Sequence, residues 1–377
     1  MGGIDFEAVA SASGILGLGV ALGYFVRHLF RRLIDGDLIK CNDVRKKLES
    51  DLKAAAGERD EIKPQLANLN KLRNALTGEE DELWRLHTAE MPSEVASLLG
   101  QNRPKIITVM NLKGGVGKTT TVANLAAHFG KQGKRVLAID LDYQGSLSRM
   151  LMLAANIRNT DAPRAIDLLS GNQDAVALQR QVISLQSTLD NVDLVSCGQS
   201  FDRFENRLML RWLIGDEKDD VRYRLARVLT NNAFRSAYDL ILIDAPPRLS
   251  TGAINALACS HVVLIPTVLD RLSAEAVGNF VSRLNHFRPM NTALHYAGVI
   301  GTLRGQLGGA DVKDGAFEIA ERGVANWTGT PYVFKSDIKY FTDLAREAGS
   351  NVGYLKHKDV KEAYILLADE IEKQLRL

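Results

Sequence analysis

KIITVMNLKGGVGKTTTVANLAAHF, residues Lys105 to Phe129, decides how the rest of the chain is read. Ile106 to Met110 is an apolar, β-branched run, the pattern of a strand buried on both faces. Leu125, Ala126, Ala127 and Phe129 follow as the apolar positions of a helix. Between strand and helix stand Gly114, Gly115, Val116, Gly117, Lys118, Thr119 and Thr120. Glycines let successive backbone N–H groups converge on one point, and the start of the following helix adds its dipole, so the segment is built to wrap phosphate. In that geometry Lys118 meets the β and γ phosphates of a nucleotide and the Thr119 hydroxyl binds Mg²⁺.

Lys113, just before the first glycine, is a lysine that an ordinary phosphate loop does not need. The segment KGGVGKT resembles the deviant Walker A motif of the ParA/MinD family of ATPases, and NLKGGVGKTTT is close to the ParA/Soj form of it. The resemblance implies an α/β fold, a mostly parallel doubly wound sheet of the P-loop NTPase kind, with ATP and Mg²⁺ as cofactors. It also implies that Lys113 reaches across a nucleotide-sandwich homodimer to the partner's phosphates. Two ATP molecules face to face bring about eight negative charges together, which lysines from both sides offset.

Two further stretches extend the likeness. RVLAIDLDYQGS, Arg135 to Ser146, is similar to the family's second-strand motif, and YDLILIDAPP, Tyr238 to Pro247, to its Walker B strand. By that match Asp142 positions or polarises the attacking water, Asp140 supports the Mg²⁺ site, and Asp244 holds a Mg²⁺-bound water. A core strand ending in a carboxylate is otherwise costly to bury, and a metal supplies the reason. Asp140 and Asp142 also fall at a strand's carboxyl end beside the phosphate loop, where open α/β sheets bind ligands. The expected catalytic set is therefore Lys113, Lys118 and Asp142, and the expected metal set Thr119, Asp140 and Asp244. Asn255-Ala256-Leu257, VVLIPT (Val262 to Thr267), VFKSDIKYFTDLAREAG (Val333 to Gly349) and a last helix, Val360 to Leu375, continue the pattern. The ATPase domain is accordingly placed at 105–377.

Two residues depart from the family pattern. Tyr143 stands where a proline is usual, which bears on how stiffly the water-positioning loop is held. Arg248 follows Pro246-Pro247 where serine is usual. It is either a cation for phosphate or the partner subunit, or a surface arginine on a loop.

The first hundred residues lie outside this likeness. Ala8 to Val26 runs nineteen residues without a charge, about 28 Å as a helix and close to the thickness of a bilayer core. Asp5 and Glu7 precede it, and Arg27, His28, Arg31 and Arg32 follow. That asymmetry predicts a short outer tail at 1–7, a transmembrane helix at 8–26 and a cytoplasmic remainder. The acidic start argues against a cleaved signal peptide. The expected localisation is a bacterial-type inner membrane, single-pass, with the ATPase domain in the cytoplasm. Gly19 and Gly23 form a small-xxx-small pair that favours lateral pairing in lipid.

From Ile34 to Leu76 apolar positions step by three and four, predicting a helical, coiled-coil stalk within 27–100. Arg45, Arg59 and Arg73 interrupt the seam and Pro64 interrupts the helix. A parallel dimer stalk, a hairpin folding back, and a solvated linker all remain readings of it. A second helix should start near Thr77 with Glu79 to Glu82 in its first turn, and Pro92 should open a short helix ending at Gly100.

Across 377 residues the chain is 46% hydrophobic and 24% charged, which excludes collagen-like and disordered classes. Lys and Arg number 47 against 45 Asp and Glu, so the chain is not built mainly to coat nucleic acid. Cys41, Cys197 and Cys259 lie far apart and read as reduced thiols. Cleaving ATP without an evident second substrate suggests a switch. Three functions fit: a membrane-anchored dimerising ATPase that positions a protein partner, a partition ATPase tethering DNA to the membrane, and a signalling or phage-defence ATPase. For DNA, Arg304, Lys313, Lys335, Lys339 and Arg346 are the candidate basic surface.

Overall fold

The computed structural model describes residues 22–24, 26, 70, 73, 77, 80–85, 91–101, 103–158, 164–171, 174–303, 310–341 and 351–376. The chain divides into two compact units, 1–87 and 88–377. In the first unit, helix α1 (Glu80–Arg85) opens on three acids, as a helix amino terminus favours. Its Leu83 and Trp84 are buried. Arg73 and Thr77 are helical, and the Thr77 hydroxyl donates to the Arg73 carbonyl at 3.0 Å.

The span expected at 8–26 lies outside the described residues except for 22–24 and 26, and so does most of the coiled coil expected within 27–100. The single-pass membrane localisation is corrected. Among the described residues no helix is long and apolar enough to cross a membrane. A crossing needs about 20 consecutive, mostly apolar residues. The longest described helix has 18 residues, KDVKEAYILLADEIEKQL, and eight of them are charged.

In the second unit, helix α2 (Ser93–Gly100) follows Pro92 and ends at the expected glycine. Strand β1 (Lys105–Val109) leads through the glycine-rich loop to α3 (Lys118–Lys131). Next come β2 (Val136–Asp140), α4 (Ser146–Ala154), the short strands β3 (Ile183–Ser184) and β4 (Val192–Val195), and α5 (Ser200–Leu213). Then β5 (Leu240–Asp244), α6 (Thr251–Cys259), β6 (Val262–Val268) and α7 (Arg271–Asn285) follow. Toward the carboxyl end come β7 (Tyr296–Thr302), α8 (Ala310–Val324), β8 (Thr330–Val333) and α9 (Lys358–Leu375).

The eight strands form one sheet in the order β3-β4-β2-β5-β1-β6-β7-β8. Every pairing is parallel except β3 with β4. This is the expected α/β sheet. Parallel strands need helical crossovers, so both faces are covered, and β2, β5, β6 and β7 are buried at every position. Side chains alternate faces along a strand. Ile107 and Val109 of β1 belong to the core built with Val122, Leu125 and Phe129 of α3, Leu147 and Leu151 of α4, and Tyr364 and Leu367 of α9. Thr108 therefore points to the other face, where its hydroxyl meets Ser260 at the end of α6 at 2.6 Å.

Register brings the carboxyl ends of the central strands level. Val109 and Asp140 each pair with Asp244, on either side of β5. The chain leaves β1 toward β2 on one side, while β6, β7 and β8 lie on the other. The phosphate loop therefore springs from the point where strand order reverses, the place where such sheets bind ligands.

Candidate functional site

Three contacts fix the loop between β1 and α3. Asn111 donates from Nδ2 to the Pro266 carbonyl of β6 at 2.8 Å and accepts the Lys113 amide at 2.9 Å. At the far side, Thr302 at the end of β7 donates to the Val116 carbonyl at 2.9 Å. Within the loop Gly115 and Gly117 have φ of 72° and 86°, a left-handed conformation in which a Cβ would cost about 1–2 kcal/mol. Gly117 caps α3, so Lys118, Thr119 and Thr120 form its first turn, with backbone N–H groups that have no partner within the helix.

Lys118 is buried, and its ammonium donates to the Lys113 carbonyl at 3.0 Å, closing the loop on itself. Burial lowers its pKa, against the attraction of Asp244 and Asp142. The expected phosphate-binding lysine and two of the expected carboxylates thus share one electrostatic site.

Thr119 donates to Asp244 Oδ2 at 2.7 Å. Asp244 is buried, and its Oδ1 has no hydrogen-bond partner. Burial, with Asp140 adding to it, raises the Asp244 pKa well above the ordinary carboxylate range, while Thr119 and Lys118 oppose the shift. A buried carboxylate oxygen without a donor, one residue pair away from a phosphate loop, fits a cation or its water. Among the described residues no group of three or more His, Cys, Asp or Glu could hold a metal. Mg²⁺ keeps several waters and binds through one or two protein oxygens plus phosphate, and the Thr119 hydroxyl and Asp244 carboxylate are oxygens of that kind.

Asp140 differs. Its Oδ2 accepts the Ser148 amide at 2.8 Å and the Ser148 hydroxyl at 2.7 Å, and its Oδ1 accepts the Asp142 amide at 3.0 Å. Burial pushes its pKa up to about 6 against these bonds. Ser148 Oγ also accepts the Cys197 amide at 2.8 Å, which ties β2, α4 and the segment after β4 together.

Asp142 is half-buried at the first position of a tight turn: its carbonyl accepts the Gly145 amide at 2.8 Å and its Oδ1 the Gln144 amide at 3.0 Å. Gly145 has φ 62°, and a Cβ there would lie 2.9 Å from the Cys197 carbonyl, so the turn admits only glycine.

Lys113 is half-exposed at the rim. Its ammonium donates to Ser273 Oγ at 2.6 Å and lies 4.0 Å from Asp270. Both acceptors sit at the start of α7, where Asp270 caps the helix through the Ser273 amide and hydroxyl at 2.8 and 2.6 Å. Arg248, read as a phosphate or partner cation or as a free surface arginine, instead engages Asp202 and Glu205 of α5 and covers the Tyr143 ring.

Asn111, Thr302 and Ser148 were not singled out from sequence. Asn111 stands two residues before Lys113 and was within reach of motif reading. Thr302 and Ser148 come to the site only through the register of β7 and the start of α4, which leave no local signal.

Residues 104–296 match the profile of the family described as AAA domain. The sporulation initiation inhibitor protein Soj of Bacillus subtilis is 33% identical over 201 residues, 53% of this chain and 72% of that protein. The chromosome-partitioning ATPase Soj of Thermus thermophilus is 32% identical over 198 residues, 52% and 68% of the two chains. Among solved structures, a protein assigned to plasmid partition in Borrelia burgdorferi B31, with AMPPNP bound, superposes with a TM-score of 0.56 at 24% identity. The match covers 72% of this chain and 100% of that one, and it establishes the fold alone.

Proposed function

The chain belongs to the ParA/Soj-like family of P-loop ATPases, and from that premise we propose that it is a nucleotide-switched homodimer which positions or assembles a partner. It is an ATPase, with ATP and Mg²⁺ as its ligands. Gly114, Gly115, Val116, Gly117 and Thr120 surround the phosphates with backbone N–H groups, and Lys118 places its charge between β and γ. Thr119 and Asp244 would hold Mg²⁺, whose charge would offset that of the phosphates. Asp142 orients the attacking water. Asp140 supports both from behind, because the Asp142 amide and the start of α4 hang on its carboxylate.

The observation that carries the switch is Lys113. It lies outside the phosphate cradle, half-exposed, with its ammonium on Ser273 and 4.0 Å from Asp270 at the start of α7. A lysine that serves its own loop would point inward, as Lys118 does. On this reading Lys113 reaches a nucleotide on a second copy, the loop is of the deviant Walker A kind, and ATP is the glue of the dimer. Hydrolysis then releases the dimer, and the partner reads which state is present.

Mixing two defective proteins tests this. Lys113→Ala and Asp142→Ala, each inactive alone, should regain ATP hydrolysis on mixing, because a mixed dimer joins Asp142 of one copy to Lys113 of the other. Continued inactivity of the mixture, with both variants folded and binding ATP, would place Lys113 in its own subunit's site. Titrating the ATP-bound Asp142→Ala protein with duplex DNA at several salt concentrations decides the partner class. Steeply salt-dependent binding means DNA, and none at low salt means a protein.

A further inference from the structure

The two residues that set this chain apart from its family's pattern, Tyr143 and Arg248, are 105 positions apart in sequence and in contact in the fold. The Arg248 guanidinium carbon lies 5.0 Å from the centroid of the Tyr143 ring. Its Nη2 donates to Asp202 Oδ1 at 2.5 Å and to Glu205 Oε1 at 2.6 Å, both on α5. Glu205 is buried and fixed on its other side, its Oε2 accepting the Gly252 amide at 3.0 Å and its carbonyl the Thr251 hydroxyl at 2.9 Å. The anchor is thus rigid, built from α5 and the first turn of α6. It is also close to the turn it would hold: a Cβ on Gly252 would lie 3.3 Å from the carbonyl of Leu141, the residue before Asp142.

Moving Arg248 away toward a phosphate would leave Glu205 buried without its counter-charge, a strongly unfavourable state. The guanidinium is therefore a fixture of the fold. What it faces is the second residue of the Asp142–Gly145 turn. A proline there would stiffen the turn through its fixed φ. A tyrosine has no such restraint, and a cation held over its ring face supplies one from outside.

We propose that Arg248 is a positioning residue for hydrolysis: anchored on Asp202 and Glu205, it holds the Tyr143 ring and through it the orientation of the Asp142 carboxylate. This rests on the assignment of Asp142 to the attacking water. Substrate binding lies with the phosphate loop, so loosening the turn acts on the chemical step and leaves nucleotide affinity alone.

The test measures kcat and KM for ATP on the full chain. Tyr143→Leu removes the ring and leaves the ion cluster intact, so folding is not at risk. It should lower kcat about tenfold with KM unchanged. Tyr143→Phe, which restores the ring face without the hydroxyl, should recover kcat. Arg248→Lys, which keeps a charge beside Glu205 but loses the plane, should lower kcat to a similar degree. The double variant Tyr143→Leu/Arg248→Lys should be no worse than either single change, because both break one contact. Wild-type kcat in Tyr143→Leu, losses that multiply in the double variant, or a KM rise matching the fall in kcat would each overturn the proposal. Asp142→Asn separates the two levels. Unimpaired hydrolysis there removes the premise, whereas loss there together with wild-type kcat in Tyr143→Leu removes only the role of Arg248.

Discussion

Asp140 and Asp244 end neighbouring parallel strands, pair in register, and are both buried, yet they are built for different work. Asp140 has both oxygens engaged by the protein, with two bonds from Ser148 and one from the Asp142 amide. Asp244 has one bond, from Thr119, and a buried oxygen with no donor. A carboxylate whose oxygens are occupied by the protein holds structure, and one left with an unmatched oxygen beside a phosphate loop is held for a ligand. The same sequence signal, an apolar strand closed by aspartate, therefore covers two roles.

The sharpest way to break this contrast is to remove each charge in turn. Asp244→Asn should lower ATP hydrolysis about a hundredfold or more. It should leave the unliganded protein at least as resistant to denaturant, because it removes a buried charge. Asp140→Ala should do the converse, costing about 3 kcal/mol in chemical denaturation by stranding the Ser148 and Asp142 amides. Equal losses of turnover with no loss of stability at Asp140 would make the two residues equivalent.

A smaller effect is expected at Thr302, which braces the loop through the Val116 carbonyl. Thr302→Val removes that bond, about 1 kcal/mol, and should weaken ATP binding about fivefold in a nucleotide titration. The smallest effect concerns His261, a third buried titratable group and one that resembles Asp140. Its Nδ1 accepts the Ile106 amide and its Nε2 meets the Leu99 carbonyl, each at 2.9 Å. Burial lowers its pKa from 6.5 to about 4. The neutral ring therefore stabilises the fold fully above pH 6.5, and that contribution is lost as pH falls through 4. The stability advantage over His261→Gln, about 1 kcal/mol or less at pH 7.5, should fall away across that window and turn into a disadvantage before its lower end in denaturation at stepped pH.

Most of what positions the site was legible. The runs before the phosphate loop, through Asp140, through Asp244 and from Val262 are the four strands at the centre of the sheet, recognisable because strands buried on both faces are continuously apolar. The loop and its lysines stand in one contiguous segment. The short strand β3 has two residues and no pattern to read. Nor could the chain order show that Asp140 would be satisfied by Ser148, since that depends on how α4 turns back over β2. The meeting of Tyr143 with Arg248 was invisible for the same reason: each stood out alone, and only the packing of α5 and α6 joins them. The amino-terminal reading went further than the fold supports, because an uncharged run of nineteen residues marks a span by length and hydropathy alone.

The measurement that bears most directly on the proposed switch is sedimentation of the full chain carrying Asp142→Ala, with and without ATP and Mg²⁺, beside the same protein also carrying Lys113→Ala. The expected result is a mass increase that requires ATP and disappears in the Lys113→Ala protein. A mass indifferent to ATP, or an ATP-dependent dimer that survives Lys113→Ala, would contradict it.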